Sequence, residues 1–427
     1  MVYHWSIDSF IVYYCLSTMA PSLLLWLAVA HCAMAARGPA GDLGQGSDSV
    51  PLAKFGLSFG LDVYRAVASA QQGENILLSP LAIAVSVASA VLGAESGTSE
   101  ELRTLLHAQK LSEDALHSAL STALKDFKNV TKRNHTLKMG TLILGPSGTT
   151  LREDFVHRSR EMYGTNAETS GAGKWKNVEE GLSKWVSDHT EGRVNIVGKA
   201  ADLKEGLLLA SACYFKGHWH EGFHPNMSDP RGFLVARTLT RPVHFMHRTG
   251  FYKLYDDEEK KLQVVEMPLA KELASVVILL PRQIEGLHKI EEILTVEQLQ
   301  KWRSAMALKA VAVSLPRVSI EDLLDLQDTI TKLGLSRATD KARSDLSGIA
   351  SAKGLHVSRV SHGAAFEFGP EGDPHPSDLY SRKEMRSATL FYADRPFAFV
   401  IIDSESAFPL LIGRFAKPKG SGRHEEL

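Results

Sequence analysis

The order in which hydrophobic periodicities occur along the chain restricts its fold most. Apolar residues recur at helical spacing from Leu57 to Ala70 and from Pro80 to Gly93, the second run opened by Ser79 as N-cap with Pro80 at the first helical position. Leu137 to Leu144 reads as a strand ending in Gly145-Pro146-Ser147-Gly148, and Val178 to Thr190 as an amphipathic helix stopped by Gly192. Strand-like runs then take over: Leu207 to Phe215, Gln263 to Met267, Ser275 to Leu280, Ala310 to Leu315, Ala364 to Phe368, Phe397 to Ile402 and Pro409 to Gly413, with one helix from Val296 to Met306. Helices crowd the first half and strands the second. That distribution argues against βαβ repeats and predicts an α+β fold with a helix-rich N-terminal half and large mixed β-sheets. No linker divides the chain after Leu52, although 427 residues could build two or three domains.

Lys and Arg number 48 against 49 Asp and Glu, a net charge of -1, so no bulk field draws the chain to nucleic acid. The apolar run Leu23 to Ala30, followed by Ala33-Met34-Ala35, has the form of a secretory signal peptide over 1–35. It is too short to span a bilayer and no later run is long enough, so no membrane insertion is expected. Asp8, with no Lys or Arg before Met19, does not suit a signal n-region, and Met1 and Met19 both stay open as the start. A Gly/Asp/Ser-rich lead-in over 36–51 precedes the domain. The tail over 419–427 ends in His424-Glu425-Glu426-Leu427, similar to endoplasmic-reticulum retrieval signals, which points to that lumen and to a retrieval receptor as partner. Sequons stand at Asn129, Asn134 and Asn226. Cys15 and Cys32 leave with the signal peptide, and Cys213, inside an apolar strand-like run, reads as an inert core thiol.

Enzyme motifs fail on inspection. His220-Glu221-Gly222-Phe223-His224 matches the zinc-protease pattern, which works only on a helix that brings both imidazoles to one face. Gly222 inside it, Pro225 after it and a strand before it make that helix untenable. Gly171 to Lys174 lacks the remaining parts of a phosphate loop, and Gly145 to Gly148 is a turn. Neither a catalytic residue, a metal nor a cofactor is expected.

From about Leu57 to Pro418 the sequence resembles the serpins, block by block and in the family's order. The blocks are Asn75-Ile-Leu-Leu-Ser-Pro80 with Leu92-Gly-Ala94 and Gly97-Thr98, then Trp185-Val186 with Thr190 and Gly192. Tyr214-Phe-Lys-Gly-His-Trp219 with Phe223 follows, then Leu315-Pro316, Asp325-Leu326, Leu333-Gly334 and Val357-Ser358 with His362. Phe391-Tyr-Ala-Asp-Arg-Pro-Phe397 and Gly413-Arg414 close the series. Further features resemble the collagen-binding heat-shock chaperones among the serpins: Met227-Ser-Asp-Pro-Arg-Gly-Phe233, Met246-His-Arg-Thr-Gly250, Tyr255-Asp-Asp257 and the retrieval-like tail. Ser183 and Ser211 replace common serpin asparagines, Leu234 replaces a methionine of those chaperones' contact region, and Arg395 replaces a histidine.

The resemblance implies a single serpin domain over 52–418 with an exposed reactive loop, whose residues argue against protease inhibition. Trapping a protease requires the loop to insert as a new central strand, with free N–H donors and small side chains. The hinge begins at Glu371-Gly372, but Pro374 and Pro376 remove donors and Asp373 and Asp378 threaten burial of unpaired charge. The implied function is therefore a non-inhibitory, monomeric chaperone that binds triple-helical procollagen at Gly-x-Arg sites; a secreted serine-protease inhibitor is the alternative.

The resemblance also implies the site. Asp394 is the principal contact, able to take an arginine bidentately. Leu390 and Tyr392 should share its face, two residues apart along a strand, with Asp229, Arg231 and Leu234 completing the patch. Asp394 could instead hold the fold, since Asp-x-Pro-Phe recurs in serpins generally. A glycan at Asn226 would crowd a rigid rod. Release at lower pH is expected through His247, His224 and His218, because histidine titrates near pH ~6.5.

Overall fold

The computed structural model describes residues 52–130, 135–194, 206–223, 228–373, 387–404 and 406–418, all within one unit that runs from Val50 to Leu427. Its first half is helical, in the order α1 (Leu52–Ala70), β1 (Ile76–Leu78), α2 (Pro80–Val91), α3 (Ser96–Leu105), α4 (Glu113–Val130), β2 (Thr136–Gly145), α5 (Glu153–Tyr163), β3 (Asn166–Thr169) and α6 (Val178–His189). Strands dominate afterwards: β4 (Leu207–Lys216), β5 (Ser228–Ala236), β6 (Leu239–Asp257), β7 (Leu262–Pro268), β8 (Ala274–Pro281), α7 (Leu287–Ile293), α8 (Val296–Ala305), β9 (Ala307–Pro316), β10 (Val318–Asp325), α9 (Gln327–Lys332), β11 (Val357–Phe368), β12 (Thr389–Tyr392), β13 (Phe397–Asp403) and β14 (Pro409–Phe415). The α+β expectation holds. The helices α3, α4, α5, α7 and α9 and the strands β1, β3, β5, β6 and β10 go beyond the expected elements.

Ser79 accepts a hydrogen bond from the Ala82 N–H and Pro80 has no N–H to leave unsatisfied, so α2 starts where the sequence places it. Every residue of α2 is buried, as befits a helix apolar all round.

Two sheets carry the fold. One has five strands in the order β10-β11-β4-β2-β3; the other follows β1-β14-β13-β8-β7-β6-β9-β12, with β5 paired to β6. β4 explains how a continuous apolar run becomes a strand. Leu207, Leu209, Cys213 and Phe215 face the main core, while Leu208, Ala210, Ala212 and Tyr214 pack with Trp175, Leu182, Trp185 and Val186 beneath α6. The Cys213 thiol is fully buried, and burial pushes it up to about 12, which keeps it protonated and inert.

No described helix is long and apolar enough to cross a membrane. The signal-peptide, lead-in and tail expectations over 1–35, 36–51 and 419–427 lie outside the described residues, as do Asn134, His224, Asn226, Pro374 and Pro376. Asn129 lies on α4, with its side chain outside the description.

Candidate functional site

Four strands lie side by side in the order β12, β9, β6, β5, and their register lines up the predicted residues. Tyr392 pairs with Ser314, Ser314 with His247, and Asp229 with Phe245. Alternation puts Leu390 on the Tyr392 face of β12, and Leu390 is 61% exposed, large for an apolar side chain at a sheet edge. Beneath this row lies the fully buried Phe245, stacked on Tyr392 at 5.4 Å and on His247 at 6.4 Å between ring centroids.

The polar groups of the row form a chain. His247 Nε2 lies 2.7 Å from Asp229 Oδ1, and His247 Nδ1 lies 2.8 Å from Ser314 Oγ. Arg231 meets Asp229 through two nitrogens, Nε at 3.0 Å from Oδ1 and Nη2 at 2.9 Å from Oδ2. These bonds, first Arg231 and then His247, hold the Asp229 carboxyl down to about 2. An ionised carboxylate only accepts, so His247 Nε2 carries a proton and Nδ1 accepts from the Ser314 hydroxyl while the ring is neutral.

Asp394 follows β12. Its backbone carbonyl accepts from the Leu234 N–H at 2.6 Å, which ties β5 to this segment and brings Leu234 to the patch. Its carboxylate is already engaged: Arg395 Nε and Nη2 both lie 2.7 Å from Asp394 Oδ1, and Arg395 Nη1 donates to the Arg282 carbonyl at 2.7 Å. The structure thus gathers Leu390, Tyr392, Asp394, Asp229, Arg231 and Leu234 around one end of the sheet. Ser314 and Phe245 were not legible as members; a lone polar residue before Leu315-Pro316 was the available signal for Ser314.

The next residue on β6 points elsewhere. Arg248 donates to the Gly222 carbonyl at 2.8 Å and pairs with Glu221. There the segment after β4 clasps the start of the loop: Gly222 N donates to Asp373 O at 2.9 Å, Asp373 N to Trp219 O at 3.2 Å, and Trp219 N to Glu371 O at 2.9 Å. His218 belongs to this clasp rather than to the Arg231 patch. Its N–H donates to His135 Nδ1 at 3.1 Å, and its Nε2 lies 3.7 Å from Asp373. The described part of His-Glu-x-x-His, His220 to Phe223, is not helical, and no described group of His, Cys, Asp or Glu could hold a metal.

Residues 56–418 match the family described as Serpin (serine protease inhibitor). The chain belongs to the serpin family. Among serpins it is 40% identical to Serpin H1 of Gallus gallus over 403 residues, covering 94% of this chain and all of that one. It is 42% identical to Serpin H1 of Mus musculus over 393 residues, covering 92% of this chain and 94% of that one. The leukocyte elastase inhibitor of Equus caballus is 29% identical over 372 residues, covering 84% of this serpin and 97% of that one. Uncleaved ovalbumin superposes with a TM-score of 0.79 at 25% identity, over 86% of this chain and 100% of that one. A tumour-suppressing serpin superposes at 0.77, with 23% identity over 86% of this chain and 99% of that one. The fold expected from the sequence blocks is the fold observed.

Proposed function

We propose that this serpin is a collagen-binding molecular chaperone of the endoplasmic-reticulum lumen, neither an enzyme nor a protease inhibitor. The resemblance of its sequence blocks to the collagen-binding heat-shock serpins supports this reading, as does 40–42% identity with Serpin H1. One observation carries it to a surface: Leu390 stands exposed on an edge strand beside Tyr392 and Asp394, with the Asp229–Arg231 pair across the sheet. A triple helix turns its X and Y side chains outward, and an apolar and aromatic row flanked by charge matches an imino-acid-rich rod that carries arginine. Binding only the folded triple helix stabilises it by mass action, and this is the whole activity. Release follows at lower pH through His247, with His224 as a further switch; His218, in the clasp, is left out of it. The retrieval-like tail returns the chaperone through its receptor.

Asp394→Ala tests the reading. The bond that ties Asp394 to Leu234 uses the backbone carbonyl, which alanine keeps. The variant keeps that bond and the bond of Arg395 to the Arg282 carbonyl, but leaves the Arg395 guanidinium unpaired beside the rod, so it is expected to lose about 2 kcal/mol of affinity for a triple-helical Gly-Pro-Arg peptide with little change in melting temperature. An equal loss of stability would assign Asp394 to the fold instead.

A further inference from the structure

The proposed contact carboxylate does not wait empty for a ligand. Arg395 closes on Asp394 through Nε and Nη2, while its remaining terminal nitrogen is fixed on the Arg282 carbonyl. The side chains of Asp394 and Arg395 are 16% and 22% exposed, so the pair is largely withdrawn from water and weakly screened. The other carboxylate of the patch, Asp229, is likewise held by a guanidinium of the same chain, Arg231. What the surface leaves open is apolar and aromatic: Leu390 and Tyr392.

A guanidinium arriving on a ligand has the same charge and fork geometry as Arg395, and to take both carboxylate oxygens it must displace Arg395 from Oδ1. It also arrives without the advantage of attachment, since Arg395 is the adjacent residue and is always at the site. We infer that Arg395 is an internal competitor for Asp394, so that this chain docks the apolar, imino-acid-rich face of a triple helix and discriminates weakly between triplets with and without arginine. Arg395 is then a specificity-determining residue. The inference rests on the collagen-binding reading, and adds to it which feature of the rod is recognised.

The test compares two triple-helical peptides, one of Gly-Pro-Pro triplets and one with a central Gly-Pro-Arg, against the full chain and its Arg395→Ala variant, by titration calorimetry at pH 7. The unaltered chain is expected to bind both within about threefold, and the variant to prefer the arginine peptide by about tenfold, the change of one ion pair. Equal preference in both proteins overturns the inference, as does a strong arginine preference in the unaltered chain. A second arm needs no collagen. The side-chain 15Nε resonance of Arg395 should move markedly in Asp394→Asn, because its acceptor loses its charge; an unmoved resonance overturns the pairing itself. If neither peptide binds either protein while that resonance does move, the collagen-binding reading falls and the inference with it.

Discussion

The Ser79 backbone N–H donates to His362 Nε2 at 2.9 Å, so the ring proton sits on Nδ1 and goes to Ser211 Oγ at 2.8 Å. His362 is fully buried among the central strands, and desolvation brings its pKa down to about 3; burial likewise takes His117 down to about 4. Both folded values lie below the ordinary 6.5 of an exposed histidine, so their stabilisation is complete above that pH. It is lost as pH falls toward the folded values, because the unfolded chain then binds protons that the folded one refuses. Melting temperature is expected to decline from pH 6.5 downward by the equivalent of about 1.4 kcal/mol per pH unit for the fully buried His362, and His362→Gln should flatten part of that slope. A flat profile in the unaltered chain would contradict the assignment. His247 behaves differently because its partners suit either state: Asp229 accepts from Nε2 regardless, and Ser314 need only turn from donor to acceptor when Nδ1 gains a proton. On the proposed reading, charging it beside Asp229 and Arg231 adds a cation, and the cost of desolvating it, to the face that docks the rod, which weakens binding without unfolding the chain. Collagen-peptide affinity should therefore fall between pH 7 and pH 6, and His247→Gln should remove most of that fall. If the variant keeps the full pH dependence, the switch lies elsewhere.

Two glycines bring whole elements into contact at the clasp. A Cβ on Gly372 would lie 2.3 Å from the Gly222 nitrogen, and one on Gly222 would lie 2.9 Å from the Gly372 nitrogen, so only backbone fits between the loop start and the segment after β4. Gly372→Ala is expected to cost ~1–3 kcal/mol in urea unfolding, the range for forcing extra volume into a packed contact. Unchanged stability would show that the clasp is loose. This contact was not legible in the sequence, where Gly222 reads only as a helix breaker and Gly372 only as a hinge. The strands β4, β8, β13 and β14 were legible because burial on both faces makes them near-continuous apolar runs. β5 and β6 were not. Their shared part is an edge hairpin with Pro230, Gly232 and Pro242 and a mostly exposed or half-buried face, so neither hydrophobic period marks it. α4 carries a plain helical stripe of Leu116, Leu120, Ala123 and Leu124 that the expected elements pass over, whereas α5 buries only Phe155, Ser159 and Tyr163 and offers little apolar signal. The site residues were legible through the resemblance alone, since spacing cannot reveal that β12 lies two strands away from β6.

At the scale of the molecule, the deciding feature is the parallel pairing of β4 with β11, strands far apart in sequence. Leu207 to Lys216 are matched with Val357 to Glu367, and nothing lies between them. A protease-trapping serpin must open this seam and seat its loop there, replacing one set of ladder bonds with two. For this chain the inserted strand would begin Asp373-Pro374-His375-Pro376-Ser377-Asp378. Both prolines lack the N–H the ladder needs, and the aspartates would enter a sheet whose central strands are buried on both faces. Opening the seam would also disturb His362, whose Nδ1 bond to Ser211 crosses it. The closed sheet is thus expected to stay favoured even when the chain constraint is removed. Cleaving the loop with a protease of broad specificity should leave the melting temperature within a few degrees of the intact protein, and no SDS-stable complex with trypsin-like or chymotrypsin-like proteases should form. A rise of tens of degrees on cleavage would show that the loop enters the sheet after all, and a covalent complex would make the chain an inhibitor.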